Sequence, residues 1–203
     1  TWLNGLSFLI LALVGFVMAA LAARFQFAAV SNEGRGFWVM RTGPITAKEF
    51  LWAKAYPGIL PMIVVGETLA ISSITILDAK SAMLWVGIGT AAALSFGLSG
   101  IAVGMGAIYP DFKTSNASKL AASPAGLLYM LTALGLVFMV LALEAFPVYW
   151  LISTQITEMP ITNTQWIIGG LSMLSALLLC IFATFYPIHY GARKLWEREL
   201  PNG

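Results

Sequence analysis

The sequence predicts an all-α integral membrane protein with about five membrane-spanning helices. Hydrophobic residues make up 59% of the 203 residues and charged residues only 10%, whereas soluble globular domains are roughly 45–50% apolar. The apolar residues form five runs, and each is long enough to cross a bilayer as a helix, which takes roughly 20 residues. The short alternating strands of a membrane β-barrel are not seen in the sequence. We therefore expect one transmembrane domain over residues 1–203.

The five predicted spans follow from the positions of these runs. They cover residues 3–23, 56–77, 82–109, 123–146 and 166–190. Between the last two spans, residues 144–165 contain two prolines and several apolar residues but no Lys or Arg. This segment is longer than an ordinary connection between helices, so we expect an extended, partly buried external loop there.

The basic residues predict which way the protein lies in the membrane. Ten of the eleven Lys and Arg residues follow the first, third or fifth span, and only Lys80 falls on the other side. Because cytoplasmic loops carry an excess of Lys and Arg, we expect a multi-pass protein of the cytoplasmic (inner) membrane. The odd number of spans then places Thr1 outside and the C-terminus in the cytoplasm.

A polar segment, residues 31–54, separates the first two spans and holds four of the eleven Lys and Arg residues. Within it, Thr46 and Glu49 have the spacing of a capping box, in which each side chain binds the other residue's backbone N–H. Gly43-Pro44 interrupts the chain just before that helix. Residues 33–41 mix charged and apolar residues, which favours a short helix lying along the membrane surface. The alternative is a solvated loop whose charges only fix the topology.

The sequence contains no pattern that predicts catalysis. The GxxxxGK[ST] loop that cradles nucleotide phosphates is absent, as are metal-binding Cys/His clusters and the HExxH motif. The single histidine, His189, lies at a membrane edge, and the single cysteine, Cys180, lies in an apolar run. We therefore expect no enzyme activity, cofactor, metal or nucleic-acid partner for this chain.

Two features inside the predicted spans are polar or unusually small. Glu67 lies near the middle of the second span, where an acidic residue costs roughly 2.5–3.5 kcal/mol on insertion scales. It either lines a translocation path or proton-coupled site, or it is a protonated acid hydrogen-bonded to a neighbouring helix. In the third span, Gly100 and Gly104 have the spacing that lets two helices approach closely. They predict a helix at the centre of the bundle.

The order of residues in the polar segment resembles the coupling loop of type-2 ABC transporter permeases. The matching residues are Glu33-Gly34, Trp38, Pro44-Ile45 and Lys54. The segment as a whole, and residues 106–119 in the second loop on the same side, are similar to a bacterial branch of ABC exporters. Those permeases have six helices, so the resemblance implies that the chain corresponds to helices two to six. The start at Thr1 rather than Met agrees with a C-terminal transmembrane portion whose first helix is missing.

The resemblance implies a mechanical role for the polar segment. The chain would be an exporter permease that couples ATP hydrolysis by a separate cytoplasmic ATP-binding subunit to substrate export. It would work with a second permease domain, as a homodimer or a fused half. The implied ATPase-coupling residues are Glu33, Gly34, Arg35, Phe37, Trp38, Arg41, Pro44 and Lys54, with Phe37 and Trp38 as an apolar anchor. Two other functions stay open: a non-transporting structural subunit of a larger membrane complex, and an ion-coupled secondary transporter that uses Glu67.

Overall fold

The computed structural model describes residues 2–77, 81–112, 116–157 and 162–197, and all regular structure in these ranges is helical. Its α-helices are α1 (Trp2–Phe25), α2 (Phe37–Thr42), α3 (Ala47–Ile76), α4 (Ser81–Ile108), α5 (Ala117–Ala121), α6 (Pro124–Thr157) and α7 (Asn163–Glu197). Two short 3₁₀ helices, Phe27–Ala29 and Ser31–Gly36, connect α1 to α2. Helices α1, α3, α4, α6 and α7 are long and apolar enough to cross a membrane. The chain is therefore a multi-pass membrane protein, and the predicted fold class is confirmed.

Helix α4 lies at the centre of the bundle, as its glycines predict. It contacts each of the other four long helices, and a larger share of it is buried inside the chain than of any other. A Cβ atom at Gly100 would collide with the backbone of Thr184, and one at Gly104 with the backbone of Pro187. Because these two positions carry no side chain, α4 and α7 pack backbone to backbone, the kind of close packing that joins helices in lipid.

The structure corrects the expectation for residues 144–165. Helix α6 continues to Thr157 and α7 begins at Asn163, so the expected extended loop is mostly helix; residues 158–161 lie outside the described part of the chain. Pro147 stands inside α6, and a Cβ atom at Gly169 would lie 3.3 Å from the Pro147 Cβ. A helix pairs its own backbone groups where lipid offers no partner. Local adjustment lets such helices tolerate a proline, so apolar residues on both sides of Pro147 stay helical.

Candidate functional site

The polar segment has the shape that the sequence predicts: a short helix, a break and a long helix. The 3₁₀ helix Ser31–Gly36 runs into α2, residues 43–46 are not helical, and α3 begins at Ala47. Gly34 forms a kink with φ 52° and ψ −128°, which residues with a Cβ atom rarely adopt. The backbone itself therefore requires the glycine that follows Glu33, whether or not a partner contacts it.

The capping box at the start of α3 is present, as predicted. Thr46 Oγ1 accepts a hydrogen bond from the Glu49 N–H at 3.3 Å, and the Thr46 N–H donates to Glu49 Oε2 at 2.9 Å. Thr46 has extended backbone angles, φ −78° and ψ 152°. The two bonds pair N–H groups that the first turn of a helix leaves without intrahelical partners. They fix the residue at which α3 begins.

An ion pair joins the two ends of the polar segment. Lys54 Nζ donates to Glu33 Oε1, and the two side chains are only 26% and 23% exposed, respectively. The structure thus brings together two of the predicted coupling residues that lie 21 positions apart. The Glu33 carboxylate, which the resemblance predicts to contact an ATPase, thus binds Lys54 within the chain and holds the 3₁₀ helix against α3.

The Phe37 ring attaches the polar segment to the rest of the bundle. It is 3% exposed, and it contacts aromatic rings from three separate parts of the chain. The ring centroids lie 5.8 Å from Phe50 in α3, 5.0 Å from Phe112 after α4 and 6.0 Å from Trp196 in α7, distances at which aromatic pairs attract. The expectation that Phe37 anchors an ATPase is therefore corrected, because the ring lies inside the chain's own core.

A hydrogen bond ties the polar segment to the second loop at the same end of the bundle. The Asp111 N–H donates to Ser31 Oγ at 3.1 Å, next to the stacked rings of Phe37 and Phe112. Residues 31–42, residues 111–112, the start of α3 and the end of α7 thus form one packed unit, which we call the loop block. The contacts made by Ser31, Phe112 and Trp196 cannot be predicted from local sequence, since their partners lie far along the chain.

Part of the polar segment faces outward and is free to meet a partner. Val39 and Ile45 are 54% and 42% exposed, and Pro44 is exposed beside them. The side chains of three predicted coupling residues lie outside the part of the chain that the structure describes: Arg35, Trp38 and Arg41. The outer surface therefore includes the Gly43-Pro44 break, and the inner surface holds Glu33, Phe37 and Lys54.

Glu67 and Glu144 are acidic residues far from the ends of the long helices α3 and α6. Glu67 Oε2 is buried and has no hydrogen-bond partner among the described residues, while the nearby Thr68 hydroxyl bonds to a carbonyl group of its own helix. Glu144, which the sequence analysis did not single out, is 4% exposed and is hydrogen-bonded to Thr90 Oγ1 at 2.7 Å. Glu144 could have been identified as an acidic residue in an apolar run. It was missed because it lies at the edge of the expected external loop.

Comparison with known proteins gives a family for the chain. A family model described as "Putative ATP-binding cassette" matches residues 1–200, and no similar curated protein or solved structure was found. The description refers to ATP binding, although the sequence has no GxxxxGK[ST] loop. The match includes the polar segment and all five long helices. The chain therefore belongs to this ATP-binding-cassette family.

Proposed function

We propose that this chain is the membrane permease subunit of an ATP-binding-cassette exporter. A separate ATPase subunit binds the polar segment from the cytoplasm and hydrolyses ATP, and the permease moves substrate out across the cytoplasmic membrane. The observation that carries the proposal is the position of the Phe37 ring, which joins the polar segment to α3, to residues 111–112 and to α7. A partner that pushes on this segment would move several parts of the bundle together.

The family description on its own favours an ATP-binding protein, and the residues favour the membrane partner of one. A nucleotide-binding cassette needs a glycine-rich loop whose N–H groups cradle the phosphates and whose Lys reaches them. The sequence has no such loop, but it has five apolar helices and a charged segment built into their packing. We therefore assign ATP hydrolysis to the partner subunit and no catalytic step to this chain.

Force would reach the bundle through contacts with two helices. The Glu33–Lys54 ion pair and the capping box carry motion of the segment into α3, and the contact of Phe37 with Trp196 carries it into α7. Coupling of this kind requires an element with two arrangements that both sites bias. We assign that element to the packing of the helix bundle against a second permease domain, which supplies the other half of the transporter.

The outer surface of the polar segment would contact the ATPase. Pro44 and Ile45 are exposed, and Arg35, Trp38 and Arg41 precede them in the sequence at intervals of three residues. Arginine and tryptophan are enriched among the energetically dominant residues at protein interfaces. Gly43-Pro44 lies directly before the capped start of α3. As a rigid turn, it would transmit motion of the polar segment to α3 without bending.

Co-purification and coupled ATP hydrolysis test this proposal. The tagged chain, extracted from its native membrane in mild detergent, should retain a subunit with a Walker A loop, identified by mass spectrometry. Adding the permease should raise that subunit's ATPase rate severalfold. The double variant Trp38→Ala, Arg41→Ala should weaken retention, whereas Arg24→Ala should not. Arg24 is the matched control, because it is an exposed arginine at the end of α1 beside the same loops.

The ion pair separates binding of the ATPase from coupling to it. Lys54→Glu should leave the ATPase bound but reduce its stimulation, since two carboxylates then face each other inside the loop block. The exchanged pair Glu33→Lys, Lys54→Glu should recover part of the stimulation. The proposal is contradicted if no Walker A subunit is retained, or if the Trp38→Ala, Arg41→Ala variant binds and stimulates the ATPase like the unaltered chain.

An ion-coupled secondary transporter is the second candidate, and one observation favours it. The buried Glu67 Oε2 has no hydrogen-bond partner among the described residues, and an acid inside a membrane helix commonly marks an ion or proton pathway. Transport into proteoliposomes without ATP, lost in Glu67→Gln and unchanged in Lys54→Glu, would support this candidate. The exporter predicts the opposite pattern: no transport without ATP, and a defect in Lys54→Glu.

A further inference from the structure

A groove runs between α3 and the outer face of α7 at the end of the bundle that carries the loop block. Its volume is about 640 Å³, and its lining includes Trp52, Phe182, Phe185, Tyr186, His189 and Arg193. Ligand sites in proteins commonly enclose roughly 300–1,000 Å³, so the groove is large enough for part of an amphiphile. It lies beside the loop block, and the buried residues of the loop block do not line it.

Aromatic rings form a continuous wall along the groove. The rings of Phe182 and Tyr186 stack with centroids 4.9 Å apart and planes 17° apart, and Tyr186 and Tyr190 continue the row at 6.2 Å and 6°. From α3 the Trp52 ring packs on Phe185, with the ring centroids 5.3 Å apart. Phe182 and Tyr186 are 60% and 56% exposed. The wall is thus held in place by ring contacts but open to the membrane.

The end of the groove nearest the loops is basic. His189 and Arg193 line it, and Lys194 Nζ lies 5.8 Å from the Tyr190 ring centroid, within the range of a cation–π contact. Lys48 precedes Trp52 by one helical turn in α3, so it lies on the same face of that helix. An amphiphile in the groove would therefore meet aromatic rings with its apolar part and cations with its polar part.

The nearby acids do not cancel this positive charge. Glu197 pairs with Arg193 at 2.9 Å, but the two side chains are 63% and 78% exposed, and an exposed pair of this kind is weak. Glu49, the neighbour of Lys48, is engaged in the capping box with Thr46. A phosphate group can therefore compete for Arg193.

We propose that this groove binds an anionic phospholipid of the surrounding membrane. An acyl chain lies along the ring wall, and the headgroup phosphate accepts hydrogen bonds from Arg193 and His189. A second copy of the chain is a poorer occupant. In a two-fold symmetric interface the same patch meets itself, and two basic groove ends would then repel each other. Basic pockets between membrane helices favour anionic headgroups.

Quenching of tryptophan fluorescence tests the proposal on the full chain. The protein is reconstituted in vesicles of phosphatidylcholine, with a few per cent of either brominated phosphatidylglycerol or brominated phosphatidylcholine. Brominated chains quench tryptophan on contact, and Trp52 lies in the groove. We expect stronger quenching by the anionic lipid, and we expect the difference to disappear in Trp52→Phe, which removes the reporter and keeps an aromatic ring.

Variants of the basic end separate a specific site from general attraction to a charged surface. Arg193→Gln should reduce the preference for phosphatidylglycerol roughly fivefold, the usual effect of one basic residue near an anionic surface, and adding His189→Gln should reduce it further. Arg24→Gln, at the same end of the bundle but outside the groove, should leave it unchanged. The proposal would be overturned if the two lipids quenched equally, or if Arg24→Gln and Arg193→Gln had equal effects. It would also be overturned if the chain formed dimers that can be cross-linked through the groove and that prevent the quenching.

Discussion

Glu144 shows how a single hydroxyl group stabilises an acidic residue inside an apolar bundle. Its side chain is 4% exposed, and Thr90 Oγ1 is hydrogen-bonded to its Oε2 atom at 2.7 Å. A buried polar group that loses its partner keeps the full cost of desolvation, whereas replacing both partners by apolar groups can be nearly neutral. The pair therefore allows a mutational cycle with a clear expected sign.

Thr90→Val should lower the free energy of unfolding by about 1–3 kcal/mol, because it leaves Glu144 without this hydrogen bond at nearly unchanged volume. Thr90→Ser, which keeps the hydroxyl, should lower it by less. In a Glu144→Leu background the Thr90→Val change should cost little. Denaturant unfolding in detergent micelles measures the four proteins of the cycle and the Thr90→Ser variant. Equal costs of Thr90→Val in the two backgrounds would show that the hydrogen bond does not contribute to stability.

The two intramembrane acids differ in how well the sequence predicts them. Glu67 is the single acidic residue in a long apolar run. Because placing an acidic side chain in lipid costs free energy, the sequence alone identifies Glu67 as unusual. Glu144 is followed two residues later by Phe146-Pro147, a pair that resembles the end of a helix. The actual end of α6 depends on packing between helices, which cannot be predicted from the local sequence. The hydrogen bond to Thr90 joins residues 54 positions apart, and only the packing of α4 against α6 brings them together.

At the scale of helices, the capping box fixes where the polar segment ends and α3 begins. Thr46→Ala removes the acceptor of the Glu49 N–H, and such a change costs about 1 kcal/mol of local helix stability. Amide exchange in the first turn of α3 should therefore become roughly fivefold faster, while the amides around Ile74 keep their rates. Thr46→Ser should restore slow exchange. Unchanged exchange in Thr46→Ala would mean that tertiary packing alone fixes this helix start.

The contact between α4 and α7 depends on two glycines, and the same helix provides a control. Gly100→Ala places a methyl group against the backbone of Thr184, whereas a Cβ atom at Gly89 has nothing within 4 Å. Inserting a methyl group into packed structure typically costs about 1–3 kcal/mol. Gly100→Ala should lower the midpoint of thermal unfolding in detergent, and Gly89→Ala should not. If both variants melt alike, the close approach of α4 and α7 does not limit stability.

Most of the helices can be predicted from the sequence, because each depends on local information. The apolar runs determine the five spans, and Thr46 with Glu49 determines a helix start through bonds three residues apart. The role of Phe37 could not be predicted in this way. Next to Trp38 in a charged segment, it has the composition of a partner-binding surface, and only the arrival of Phe112 and Trp196 from distant parts of the chain buries it.

At the scale of the whole molecule, the two ends of the bundle differ in charge and in construction. The loop block brings together residues after α1, residues after α4 and the end of α7 through the contacts of Phe37 with Phe112 and Trp196. The stretches that follow the first, third and fifth predicted spans hold ten of the eleven Lys and Arg residues. The excess of positive charge on cytoplasmic loops predicts that this end faces the cytoplasm, where an ATPase could reach it.

Labelling of single cysteines determines the orientation directly. The native Cys180 is buried, so Cys180→Ala gives a background without reactive thiols. Ser118→Cys lies at the loop-block end and Thr164→Cys at the opposite end, both at exposed positions. A membrane-impermeant maleimide should label Ser118→Cys only in inside-out vesicles and Thr164→Cys only in right-side-out vesicles. The reverse pattern would place the polar segment outside the cell, where a cytoplasmic ATPase cannot reach it. It would therefore overturn both the predicted orientation and the proposed exporter function.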